Sequence, residues 1–182
     1  MKKIIALAFL TLCISSCVQI RGVTDDYNHL TLEQKESVVS FNKADQLSRE
    51  HIYKVNASTL LDVIKEYPKA FVYVTNVGCT ADACLPLNVY ENYAKNNGYK
   101  VFFVLVGYND LEVAFGEPIK EPLFVIDSDY YGKKLFRKYV DYFENELMGK
   151  EKKTKRSSYE SLHFFENGAY KNSYYYLPSN KS

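Results

Sequence analysis

The chain has 182 residues, with 23 Lys and Arg against 22 Asp and Glu and a formal net charge of +1. So even a balance gives no electrostatic reason to expect a nucleic-acid partner. The length allows about one domain with a core of ordinary size once terminal extensions are set aside.

Lys2 and Lys3 precede the apolar stretch from Ile4 to Cys13, and Ile14-Ser15-Ser16-Cys17 follows, which is the layout of an export signal. The apolar stretch is too short to span a bilayer as a helix. Ile14 to Cys17 resembles a bacterial lipobox. That resemblance implies acylation of Cys17 and cleavage before it, making residues 1–16 a lipoprotein signal peptide. An ordinary signal peptide that happens to contain a cysteine is the alternative. Several acyl chains on one residue anchor a protein stably, where one chain binds only marginally. The mature chain is then expected in the cell envelope, lipid-anchored to a bacterial membrane on its periplasmic or extracytoplasmic face. Losing Lys2 and Lys3 with the leader leaves 21 basic residues against 22 acidic ones.

Residues 18–30 are mixed and polar and read as a tether. Thr31 opens a capping-box pattern with Gln34, which predicts a short helix through about Val39. Residues 17–50 are thus expected to be a tether and short helix, and residues 51–182 the folded domain. Ile52 to Val55 reads as a strand. Ser58 to Tyr67, with Leu60, Leu61, Ile64 and Tyr67 on one face, reads as a helix stopped by Pro68. Ala70 to Thr75 reads as a core strand. Gly78 then permits a tight turn, and a helix is expected from Cys79 to Asn97-Gly98, with Pro86 as a kink.

Tyr99 to Val106 is nearly all apolar, the pattern of a strand buried on both faces. Asn109 or Asp110 caps a short helix through Phe115, Pro122 to Asp127 is a strand, and Tyr130 to Leu147 a helix. Asn167-Gly168 between aromatic-rich runs is a hairpin signal. Strands alternating with helices imply right-handed crossovers and a mostly parallel sheet, closed here by an antiparallel hairpin.

With Cys13 in the leader and Cys17 acylated, Cys79 and Cys84 are the cysteines left to pair. An exported pair can form a disulfide, since no cytosolic reductant opposes it. A thiol at the start of a helix feels the positive end of the helix dipole, which favours thiolate. A static disulfide or two buried thiols is the other reading of the same residues. In a regular helix, residues five apart have Cα atoms about 8.6 Å apart, beyond the roughly 7 Å that a disulfide tolerates. Pairing therefore requires residues 80–83 to unwind, and a segment helical when reduced and looped when oxidised is expected.

A strand, a cysteine-bearing turn, a kinked helix, a second hydrophobic strand and a terminal hairpin, over about Ile52 to Leu177, resemble the thioredoxin-like superfamily, in its redoxin branch. The resemblance implies an α/β thioredoxin-like fold, a central mixed sheet flanked by helices with a C-terminal β-hairpin. Gly78-Cys79-Thr80-Ala81-Asp82-Ala83-Cys84 looks like the Gly-Cys-Thr-x-x-Ala-Cys segment of Q-type peroxiredoxins, which implies Cys79 as nucleophile and Cys84 as resolving thiol. Val72 and Asn76 stand where that family has proline and threonine, Tyr159 and Glu160 where it has an arginine, and Arg156 is close but off register. The thioredoxin pattern of two intervening residues, a tryptophan beside the first cysteine and a facing cis-proline is also incomplete, the cis-proline place falling near Glu160.

His163 reads as a hydrogen-bonded strand histidine and not a metal ligand, since it is a single nitrogen candidate. Lys150 to Arg156 is a basic cluster that reads as a solvated loop able to approach anionic head groups. The expected function is a lipid-anchored thiol–disulfide oxidoreductase, with catalytic Cys79 and Cys84 and no cofactor. Its partners would be exported protein thiols and disulfides and a separate redox partner. A redox-inert binding module stapled by a structural disulfide is the alternative, and a thiol peroxidase a third.

Overall fold

The computed structural model describes residues 21–44, 46–77 and 85–179. They form one seven-stranded mixed sheet with helices on both faces. The elements in chain order are α1 (Leu32–Glu36), β1 (Val38–Ser40), β2 (Ile52–Val55), α2 (Ala57–Ile64), β3 (Lys69–Thr75), α3 (Leu87–Asn97) and β4 (Lys100–Leu105). There follow α4 (Leu111–Gly116), β5 (Leu123–Ile126), α5 (Ser128–Tyr131), α6 (Phe136–Leu147), β6 (Leu162–Glu166) and β7 (Ala169–Tyr174). The strand order is β1-β2-β5-β4-β3-β6-β7. The first five positions are parallel, and β6 and β7 add antiparallel to the β3 edge.

Alternation along the strands sends residues into two cores. Phe71, Tyr73, Val101, Phe103 and Leu123 pack under α3 and α4. Ala70, Val72, Val74, Phe102, Val104 and Phe124 pack under α2 and α6. With a helix layer on each face, β4 has no solvated side, and Val101 to Leu105 are all buried. That is the physical origin of its unbroken apolar run.

Four segments differ from the sequence reading. The capping box at Thr31 is present in full, with Gln34 N donating to Thr31 Oγ1 at 3.2 Å and Thr31 N to Gln34 Oε1 at 3.0 Å. The helix it starts ends at Glu36, because the β-branched pair Val38-Val39 joins the sheet beside Ile52 and Tyr53. The stretch from Tyr130 to Leu147 is two helices, since Gly132 at φ 60 ends α5 in the left-handed region and α6 begins afresh at Phe136. Pro86 is not a kink within α3. It precedes the helix as its N-cap, extended at φ −56 and ψ 148.

Residues 21–30, expected as a tether, lie across the ends of β4 and β5. Tyr108 N donates to Asp25 O at 2.8 Å and Phe136 N to Val23 O at 3.0 Å. Ser128 Oγ donates to the Asp25 carboxylate, and the rings of Tyr27 and Tyr108 meet edge-on at 5.1 Å. Gly107 admits this strap, since a Cβ there would stand 3.0 Å from Asp25 O. With β1 in the sheet as well, residues 21–40 are packed as part of the domain.

The hairpin turns at Asn167 and Gly168, both at positive φ (50 and 76), as a two-residue primed turn requires. A Cβ on Gly168 would sit 2.7 Å from Lys65 Cγ and 3.2 Å from Lys65 Cα. Gly168→Ala is therefore expected to cost about 1–2 kcal/mol from the left-handed backbone alone. A lowered denaturant midpoint at unchanged slope is the check.

Candidate functional site

The parallel strands end together at one edge of the sheet, where open α/β sheets place ligands and reactive groups. β3 brings Thr75, Asn76 and Val77 to that edge from the sheet interior, with β4 on one side and β6 on the other. The described chain resumes at Leu85, and α3 starts at Leu87. Cys79 and Cys84 fall between these points, outside the described residues, as does Cys17.

The flanks of the cysteine segment are firmly held. Val106 N donates to Thr75 O and Val74 N to Ser161 O, both at 2.9 Å. The Tyr73 to Leu162 register carries Glu160 opposite Thr75, so the position that faces the end of β3 holds a carboxylate and no proline. Val77 is buried. Tyr73 and Tyr90 stack with centroids 4.1 Å apart, tying β3 to α3. Burial, then the neighbouring Tyr73, pushes the Tyr90 phenol up, so it stays neutral.

Leu87 N donates to Glu117 Oε2 at 3.2 Å. A carboxylate thus already sits at the N-terminus of α3, where it complements the helix dipole. The helix expected from Cys79 begins, within the described residues, at Leu87. Any thiolate brought to the N-terminus of α3 would share that dipole with Glu117.

Compared with known proteins, the chain matches no family model, no curated protein and no solved structure. The residues themselves carry the functional argument.

A second polar constellation lies behind α6. His163 in β6 is fully buried, with Nδ1 2.8 Å from Ser173 Oγ and Nε2 3.1 Å from Glu144 Oε1. Tyr170 Oη is 2.8 Å from the same Ser173 oxygen. Glu144 is also ion-paired with Arg156, which lies 3.8 Å from Asp141 and donates to Glu160 O at 3.3 Å. Burial, and then the positive charge of Arg156, push the His163 pKa down to about 3. Glu160 opposes this by favouring the imidazolium, but burial and Arg156 outweigh it, so the neutral ring wins. One proton arrangement then satisfies the chain: Tyr170 donates to Ser173, Ser173 to Nδ1, and Nε2–H to Glu144.

His163 is thus a hydrogen-bonded strand histidine. Among the described residues no group of three or more His, Cys, Asp or Glu is placed to hold a metal ion. Glu144 was missed in the sequence. Its signal is a carboxylate four residues after Val140, on the flank of the apolar face set by Tyr139, Phe143 and Leu147.

Proposed function

We propose that the chain is a lipid-anchored thiol–disulfide oxidoreductase acting on exported proteins through Cys79 and Cys84. The observation that carries the reading is the emergence of the cysteine segment from the C-terminal end of an interior parallel strand, between anchored flanks. A mixed sheet that ends in an antiparallel hairpin is also what the thioredoxin-like resemblance implies. In the reaction, the Cys79 thiolate attacks a substrate disulfide and expels one substrate sulfur as thiolate. Cys84 then attacks the Cys79 sulfur, releasing the second substrate thiolate and leaving the Cys79–Cys84 disulfide. A separate thiol reductant must return the pair to its dithiol form. The peroxidase reading has less support, because Val72 is a buried core residue and the Arg156 guanidinium is taken by Glu144 and Asp141.

A redox titration of the processed protein tests the proposal. An exchanging pair is expected to equilibrate with glutathione or dithiothreitol buffers at a potential between about −120 and −270 mV. A potential below about −300 mV is that of a structural disulfide, and it would favour the redox-inert binding module.

A further inference from the structure

Two basic segments on either side of α6 meet at one surface. Lys133, Lys134, Arg137 and Lys138 surround the start of α6, and Lys153 and Lys155 lie in the loop that follows it; all six are exposed. Arg137, Lys138, Lys153 and Lys155 line one cleft of about 480 Å³. None of the six forms an ion pair within the described residues. The acids nearest the cleft, Asp141 and Glu144, are both paired with Arg156, so their net effect is at most about one negative charge against six basic side chains.

The same cleft has an apolar side. Val23, Leu135 and Tyr159 line it and are 42%, 53% and 57% exposed. Tyr159 also stacks under Arg156, with the guanidinium 5.0 Å from the ring centre. Unpaired cations beside exposed aliphatic and aromatic side chains match a membrane interface, where head-group phosphates meet the upper acyl region. A purely electrostatic partner would not need the apolar residues.

The course of the N-terminal strap selects among occupants. Val23 lies in the cleft wall and is held there through its carbonyl by Phe136 N. Five residues lie between it and Cys17, six Cα–Cα steps that span at most about 22 Å when extended. We infer that this cationic, apolar-flanked surface docks on anionic phospholipid head groups and fixes the orientation of the domain on the membrane. The position of the membrane rests on the lipid-anchor reading, whereas the affinity of the surface does not.

The test is flotation of residues 18–182 with vesicles. This chain lacks the leader and the acylation site and keeps every residue of the described fold. Binding to vesicles of 30 mol % phosphatidylglycerol in phosphatidylcholine is expected to exceed binding to pure phosphatidylcholine by at least about tenfold at low salt, and to fall steeply at 0.5 M salt. Lys153→Glu with Lys155→Glu, and separately Lys133→Glu with Lys134→Glu, should each lower it at least fivefold without moving the thermal midpoint. Lys95→Glu with Lys120→Glu serves as the charge-matched control and should leave it unchanged.

Equal binding to both vesicle types, or equal loss in the control, would overturn the inference. So would preference for a soluble phosphopeptide over the anionic vesicles. Membrane fractionation of full-length Cys17→Ala reports separately on the anchor. Release of that variant with no vesicle binding by residues 18–182 overturns the docking surface and leaves the anchor reading intact. Vesicle binding together with normal processing and full membrane retention of Cys17→Ala supports the surface and overturns the lipid anchor.

Discussion

Cys79→Ser is expected to abolish turnover of a model protein disulfide, to the rate of the buffer thiol alone. The loss should be complete because the nucleophilic sulfur has no substitute: on the proposed lipid anchor at Cys17, Cys84 is the remaining thiol of the processed chain. Cys84→Ser should behave differently. The first attack still occurs, but no intramolecular thiol resolves it, so a mixed disulfide between Cys79 and the substrate accumulates. Non-reducing electrophoresis followed by mass analysis separates the two outcomes. Accumulation in Cys79→Ser instead would reverse the roles, and equal turnover by wild type and both variants would remove the oxidoreductase proposal. The pinning of Thr75 and Leu87 on either side makes this a local test, since neither substitution falls on a described core residue.

Glu144→Ala is expected to destabilise the fold by about 3–5 kcal/mol, the range for removing one partner of a buried ion pair. Glu144 is 3% exposed and the Arg156 side chain 5%, so little water is present to replace the carboxylate. Removal leaves Arg156 with Asp141 at 3.8 Å and leaves the Nε2–H of His163 without its acceptor. For a chain of this size the thermal midpoint should drop by on the order of 10 °C. Glu144→Gln keeps an acceptor for Nε2–H and should fall between wild type and the alanine variant. A well-packed apolar replacement of Glu144, Arg156 and His163 together should cost much less than Glu144→Ala, because it leaves no unpaired charge.

The same network sets a pH dependence. His163 titrates near 6.5 when unfolded and at about 3 when folded, so the unfolded chain binds the extra proton between those values. Its contribution to stability is fully present above pH 6.5 and is lost as pH falls towards 3, by up to about 1.4 kcal/mol per pH unit. His163→Phe should flatten that acid limb in denaturant melts from pH 7 to pH 4. An unchanged limb would mean that other groups dominate acid unfolding.

Local patterns in the sequence determined the strands from Ile52, Ala70, Tyr99 and Pro122, the cap at Thr31 and the hairpin at Asn167-Gly168. Each rests on interactions within a few residues or on a burial pattern written directly into the side chains. The all-apolar run of β4 required two covered faces, and both helix layers are present. Tertiary structure decided what had no local signature. Val38-Val39 is a strand only because Ile52 and Tyr53 offer an open parallel edge. The polar stretch around Asp25 is a strap only because Gly107, Tyr108 and Ser128 meet it across some 80 to 100 residues of chain. The cysteine pair was conspicuous in the sequence because chemistry of that kind needs rare residues at close spacing. The Glu144–Arg156–His163 network and the joined basic segments were not, because ordinary charged residues acquire such roles only when folding brings separate elements together.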